Sequence, residues 1–187
     1  IANSGASTAS SITMVCARVA AQAQQHDPQE WLYGAFTPND MLVGVTEVPI
    51  LTIRPKSTYN SITNRMWLLP RSLTVSTEGY NLSYKVVANA TLTGASYASV
   101  AAASGAEYDT AATAYSGGDL IYRDFVGDKS GDHADLTGLF SVLGRMLRQP
   151  GFAGSGVNVA DSLTIVAVCE AVGRTRVRAN LTWAEIR

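Results

Sequence analysis

The sequence predicts an all-β protein: a single β-sandwich, jelly-roll-like or immunoglobulin-like, with one amphipathic helix in a late connection and an N-terminal extension. Three observations support this class. Hydrophobic and polar residues alternate at the end of the chain. Strand candidates recur roughly every 10 to 15 residues with turn residues between them, and only one stretch has clear helical periodicity. The 187 residues are enough for one well-buried core.

The start of the chain differs in composition from the rest. Residues 1–10 are small and polar, so they have little to bury and indicate an arm or linker. Residues 11–23 fit a strand or a helix equally well. We therefore divide the chain into an N-terminal arm over residues 1–30 and a β-sandwich domain over residues 31–187.

Strands are predicted before the helix from short apolar runs bounded by turn residues. Pro49 indicates an edge or a bulge near the start of the second strand, and Pro70 indicates a break or bend in the third. Residues 89–118 have weak periodicity and many Gly and Ser residues, so we expect short strands within a long excursion there. The five main candidates are Glu30–Phe36, Glu47–Arg54, Arg65–Ser76, Tyr80–Ala88 and Asp119–Val126.

The helix is predicted over Asp135–Arg148, after a polar loop at residues 127–132. Asp132 and Asp135 are candidate caps, and the Pro-Gly pair after residue 149 ends the helix. We expect it to close one end or face of the sandwich. Its apolar stripe, at the spacing of a single helix face, consists of Leu136, Leu139, Phe140, Leu143 and Leu147.

Two strands are predicted at the C-terminal end, Asp161–Ala171 and Arg174–Arg187. The first is an apolar run rich in β-branched residues. The second alternates, so that Leu181 and Trp183 share one face with other apolar residues. We expect the two strands to form a terminal β-hairpin, with both of these side chains in the core.

The chain is poor in charge. Charged residues make up 16% and hydrophobic residues 47%, and the charged share is below the usual quarter. Either other subunits cover part of the surface, or the chain is a β-protein rich in small residues. The formal net charge is −1 and basic residues form no block, so we expect no nucleic-acid partner. The stripe Arg174, Arg176 and Arg178 fits a solvated strand face or an edge protected by charge.

Neither a membrane nor an oxidising compartment is indicated. No apolar run is long enough to span a bilayer and no signal peptide opens the sequence, so we expect no membrane partner. Cys16 and Cys169 both lie in apolar runs, which favours buried free thiols, while a disulfide remains open.

Few residues suggest chemistry. The two histidines, His26 and His133, leave few ways to build a histidine-dependent site, and no nucleophile-elbow, Walker or Cys-x-x-Cys motif occurs. The acidic loop over residues 128–135 has oxygen ligands for a hard cation but lacks EF-hand spacing, and helix capping is its more common role. Glu107 and Asp109 share a face, as in a glycosidase pair, but a polar strand edge is the ordinary interpretation. We expect no enzymatic activity, cofactor or metal.

Aromatic residues provide the remaining candidate site. Exposed rings can stack on sugar rings, although most aromatic residues of strands belong to the core. Tyr97 and Tyr115 lie in loops among small residues. They are therefore the best candidates for contact with a glycan or a protein partner.

Five segments carry a family resemblance: VPILTIRPKSTYNSITNR, NATLTGASYASV, EYDTAATAYSGG, DSLTIVAV and ANLTWAEIR. Together, over residues 48–187, they resemble uncharacterised virion structural proteins of tailed bacteriophages, of the kind found as fibre, spike, baseplate or head-decorating modules. The resemblance implies a rigid, non-enzymatic part of the virion that associates with itself, often as a homotrimer, and with other virion proteins after synthesis in the bacterial host cytoplasm. It supplies no site residues.

Two alternatives stay open. The first is a capsid-decorating (cement) protein that bridges capsomers. The second is a receptor module that binds host surface polysaccharide.

Overall fold

The computed structural model describes residues 30–143, 147 and 161–186, without the side chains of 141–143. The predicted N-terminal arm lies outside the described residues up to its boundary at Glu30, and so do Cys16 and His26.

Strands dominate the described residues, and one short helix accompanies them, so the predicted all-β class is confirmed. Many of the strands have only two to four residues. In chain order the elements are β1 (Glu30–Phe36), β2 (Leu42–Val43), β3 (Val48–Pro55), β4 (Thr58–Tyr59), β5 (Ile62–Thr63), β6 (Trp67–Thr77), β7 (Leu82–Ala88), β8 (Thr91–Thr93), β9 (Ala98–Ser99), β10 (Ala106–Asp109), β11 (Ala114–Ser116), β12 (Asp119–Val126), β13 (Gly131–Asp135), α1 (Leu136–Leu143), β14 (Leu163–Cys169) and β15 (Thr175–Ile186).

The strands form two antiparallel sheets that enclose one core. The five-stranded sheet has the order β1-β15-β6-β13, with β2 also paired to β15, and the six-stranded sheet has the order β12-β7-β14-β3-β10-β9. Two further two-stranded antiparallel sheets lie outside these: β4 pairs with β5, and β8 pairs with β11. The inner faces of both sheets contribute to a single hydrophobic cluster, which is the sandwich arrangement.

Strand β15 shows the predicted alternation along its length. Leu181 and Trp183 are 0% exposed, while Arg176 and Arg178 point outward and share Glu78 at 3.6 and 2.8 Å. At its start β15 pairs with β2, and Met41 and Thr37, just before β2, are hydrogen-bonded to it on the same side, while β6 pairs with it on the other side. Arg176 and Arg178 therefore lie on a solvated face and not at an edge, and Arg174 precedes the strand.

Both prolines that suggested irregular strands lie beside bulges. In β3 the pairing with β14 skips one residue next to Pro49, which leaves Ile50 as the extra residue. In β6 the pairing with β15 skips Arg71, next to Pro70. Proline has no N–H for the ladder, so a bulge lets each strand continue where it would otherwise stop.

The predicted terminal hairpin is wrong. Strand β14 pairs with β3 and β7 in the six-stranded sheet, whereas β15 pairs with β1 and β6 in the other. Each strand thereby satisfies backbone groups on both of its sides. At the end of β14 the N–H of Cys169 donates to the carbonyl oxygen of Gly44 at 2.8 Å. The thiol of Cys169 is buried and free, as predicted.

The helix begins as predicted but is shorter. The N–H of Thr137 donates to the Asp135 carboxylate at 2.8 Å, so Asp135 is the cap. Leu147, predicted to be helical, instead forms a β-bridge with Leu68, with both N–H to oxygen distances at 3.0 Å. The pairing of β13 with β6 ends before Leu68, so its backbone needs another partner.

A buried carboxylate connects the two sheets at one end. Glu185 on β15 is 0% exposed. It accepts hydrogen bonds from the hydroxyl of Ser104, from the N–H of Gly105 at 2.8 Å and from Nε1–H of Trp183 at 3.3 Å. Ser104 and Gly105 lead directly into β10 of the six-stranded sheet. These donors compensate for the desolvation of the carboxylate.

A second hydrogen bond connects the sheets through β7 and β13. The hydroxyl of Tyr84 on β7 donates to the carboxylate of Asp132 on β13. Burial, and next the hydrogen bond to Asp132, raise the pKa of Tyr84 far above its usual range, so the phenol remains a donor. Two polar contacts therefore fix the sheets relative to each other.

We predict that Glu185→Gln lowers the free energy of unfolding by about 1–3 kcal/mol, because the amide directs an N–H₂ group at a donor and leaves it unpaired. Chemical denaturation measures this. The matched control is Glu78→Gln, an exposed carboxylate whose loss costs less than about 1 kcal/mol. Equal losses of unfolding free energy for the two substitutions would contradict the prediction, because the buried contact would then contribute no more than the exposed one.

Candidate interaction surfaces

Tyr115 covers an ion pair on the outer face of the six-stranded sheet. Its hydroxyl donates to Oε2 of Glu47 at 2.5 Å, and Nζ of Lys85 donates to the same oxygen at 2.7 Å. The same Nζ lies 5.2 Å from the centroid of the Tyr115 ring. The hydrogen bonds from Lys85 and then Tyr115 lower the pKa of Glu47. Burial opposes the charge of Lys85, but its hydrogen bonds outweigh burial and raise the pKa of Lys85.

Tyr97 covers a second ion pair on the same face. Nε of Arg54 lies 2.6 Å from Oε1 of Glu107, and the guanidinium carbon of Arg54 lies 3.5 Å from the centroid of the Tyr97 ring. This is cation–π geometry. Burial raises the pKa of Tyr97, against the opposing charge of Arg54.

Asp109 organises the chain around it. It is 2% exposed and lies on the same sheet face as Glu107, as the spacing predicts. Oε1 of Glu107 is paired with Arg54, while the Asp109 oxygens accept three backbone N–H groups, so both carboxylates have structural partners. The three donors are Ser96 at 2.6 Å, Ala111 at 3.2 Å and Ala112 at 3.0 Å.

Tyr97 and Tyr115 thus lie outside the same sheet, each half-buried and each over a cation of that sheet. Tyr97 lies in the connection before β9, as predicted, whereas Tyr115 lies in strand β11, so its predicted loop position is wrong. Both lie near the surface, as the small residues around them indicated, but neither is fully exposed. The contacts of the two rings with Arg54 and Lys85 could not be predicted, because these cations lie on strands that are far from the tyrosines in sequence. Contact of these tyrosines with a glycan or a partner stays a prediction.

Two carboxylates of the acidic loop over residues 128–135, those of Asp132 and Asp135, have structural roles. Part of the predicted loop is strand β13, in which Asp132 accepts the Tyr84 hydroxyl. Asp135 caps the helix, and the hydrogen bond from the backbone of residue 137 lowers the pKa of Asp135. His133 hydrogen-bonds a threonine hydroxyl on β6 at 3.1 Å. Within the described ranges, no group of three His, Cys, Asp or Glu residues could hold a metal ion.

An open groove of about 740 Å³ lies along β1 on the outer face of the five-stranded sheet. Gly34 lies between Leu32 and Phe36 on that face, and these two side chains are 72% and 71% exposed. A Cβ at Gly34 would have its nearest neighbours at 3.5 Å, an ordinary contact distance. The rest of the lining consists of Glu30, Tyr33, Arg71, Asn180 and Thr182.

Sequence reasoning missed this groove, which we call the β1 groove, although a signal was present. Strand β1 is apolar on both faces, and strands of that kind are usually covered on both. On one face a glycine separates two large side chains. Alternation alone does not show which of the two faces remains open, so the groove could not be located from it.

Further large apolar side chains are exposed on the other sheet. On the edge strand β12, Leu120 is 58% and Phe125 67% exposed. In the part of the chain that the structure describes, no helix has both the length and the apolar character needed to cross a bilayer.

Comparison with known proteins gives no family. No family model matches the chain, and no curated protein matches it. A structure of infectious bursal disease virus Gt strain aligns at 12% identity and a TM-score of 0.13, over 84% of this chain and 40% of that chain. A structure of the Gx strain aligns at 10% identity and a TM-score of 0.14, over 86% and 41%. This chain spans less than half the length of either, and such scores carry no conclusion.

We predict that Glu47→Gln reduces the dependence of stability on acid. The folded-state pKa of Glu47 lies below the ordinary value of 4.5, so its contribution is complete above that value and is lost as pH falls through the folded pKa. Near neutral pH the substitution costs about 0.2–1 kcal/mol, because the pair is partly exposed. Thermal melting of both proteins from neutral to strongly acidic pH measures this. A constant difference across the whole range would contradict the prediction.

Proposed function

We propose that this chain is a non-enzymatic structural module of a virus particle, a self-associating β-sandwich of a tailed-phage fibre, spike or baseplate. Its partners are then other copies of itself and other virion proteins. The sequence resemblance suggests the class of particle and a homotrimer. The exposed surfaces and the contacts between the sheets supply the physical support.

One observation carries the proposal. On the outer sheet faces, the charged side chains of the candidate site form ion pairs with each other, while large apolar side chains are exposed. Glu47 and Glu107 are held by Lys85 and Arg54, whereas Leu32 and Phe36 are more than two-thirds exposed. Exposed apolar side chains that lie together favour contact with protein.

Rigidity is the second requirement of such a module. The contacts of Glu185 and Tyr84 join the sheets, and the core between them is continuous. A module that transmits force or holds a lattice needs fixed sheets. A lid or a deep polar cleft is not needed for that role.

We predict that the purified chain forms a homo-oligomer with a mass that is a multiple of 19.8 kDa; three copies, or six where two trimers pair, are the numbers that agree with the resemblance. Sedimentation equilibrium over a range of concentrations measures this mass. A protein that stays monomeric at every concentration would contradict self-association.

Monomeric behaviour together with saturable binding to empty capsid shells would favour the capsid-decorating alternative. Shells already saturated with the unlabelled chain are the control. Binding that persists on saturated shells would be non-specific.

A further inference from the structure

We propose that the β1 groove is a contact between two copies of this chain that pack face to face, related by a two-fold axis that runs parallel to the sheet face and perpendicular to β1 at the level of Ala35. This inference rests on the proposed self-association and names its surface. In this arrangement Phe36 of each copy lies over Gly34 of the other. The occupant of the groove is therefore the same groove of a second copy.

The shape of the groove suits a second copy. Side chains two residues apart on a strand face are separated by roughly 6.6 Å, and here a protruding Phe36 adjoins the notch at Gly34. The groove is open to solvent, and Leu32, Gly34 and Phe36 are among the residues that line it. A two-fold contact requires a patch that is complementary to itself. A large exposed side chain two residues from a glycine, which has no side chain, meets that requirement.

The charge of the groove is also compatible with a second copy. The charged residues that line it are Glu30 and Arg71, which form an ion pair with each other. The patch thus has no excess of either sign, so a second copy brings no unbalanced like charges against it. Nearby polar residues are small and uncharged, such as Asn180 and Thr182. A nucleic acid or an acidic partner would instead require excess basic residues.

The composition of β1 favours a covered outer face. Its inner face packs on the core through Tyr33 and Ala35, yet its outer face carries Leu32 and Phe36, largely exposed. Burial of these two side chains by a second copy removes apolar area from water at the centre of the patch. The low charge share of the chain agrees with a covered face.

The test uses Gly34→Thr, Phe36→Ser and the control Phe125→Ser in the full chain. A Cβ at Gly34 meets ordinary contacts, and threonine suits a strand better than glycine, so Gly34→Thr keeps the fold while it fills the notch. Phe125 is exposed to nearly the same extent as Phe36 but lies on the other sheet. Thermal melting confirms that each variant is folded.

A two-fold contact pairs subunits, so the wild-type protein is a dimer, or a hexamer if trimers form through another surface. We expect sedimentation equilibrium to show half the wild-type mass for Gly34→Thr and for Phe36→Ser, and an unchanged mass for Phe125→Ser.

Other outcomes overturn the inference. An odd number of subunits in the wild type, or an unchanged mass for Gly34→Thr, would refute this contact and leave self-association standing. A wild-type monomer would refute both. If Phe36→Ser leaves the mass unchanged but abolishes retention on host surface polysaccharide, the occupant is a glycan and the contact between copies is refuted.

Discussion

Burial of the inner face of β15 is the constraint on which the rest of the structure depends. This strand is paired on both sides in its own sheet, and its apolar side chains, Trp183 foremost, meet the inner face of the other sheet in one core. Glu185 then extends the same face with a polar contact to the strand connection before β10. Strands β1 and β6 are aligned with β15 by its two backbone ladders. The β1 groove exists because β1 is one of them.

Period-two alternation was sufficient to predict which residues of β15 are buried, but it could not predict which strands are neighbours. Leu181 and Trp183 are buried as their pattern requires. Strand β14 is equally apolar, and its proximity in sequence suggested a hairpin with β15. Pairing instead depends on distant segments such as β3 and β7. In the same way, helical spacing placed Leu147 in the predicted helix, but its backbone forms a β-bridge with Leu68. Long-range pairing overrides local periodicity in both cases.

For the candidate surfaces, too, the local sequence predicted part of the structure and strand order determined the rest. The small residues around Tyr97 and Tyr115 indicated a position near the surface, and both tyrosines lie on an outer face. What they contact, Arg54 and Lys85, depends on sheet order, which the sequence does not express locally. The β1 groove had a local signal, a glycine between two large apolar residues. Its open face became evident only once β15 and the core defined the inner side.

Coverage of the apolar outer face of β1 by a second copy is tested most directly by thiol crosslinking. Two variants are made in a chain whose Cys16 and Cys169 are replaced by alanine. The first carries Gly34→Cys and the second carries Phe36→Cys. In a mixed pair, Phe36 of the Gly34→Cys chain still lies over Gly34 of the Phe36→Cys chain, and the two introduced cysteines face each other. A short bifunctional thiol reagent should then link the two chains to each other far faster than either chain to itself. No preference for the mixed pair would contradict the two-fold contact.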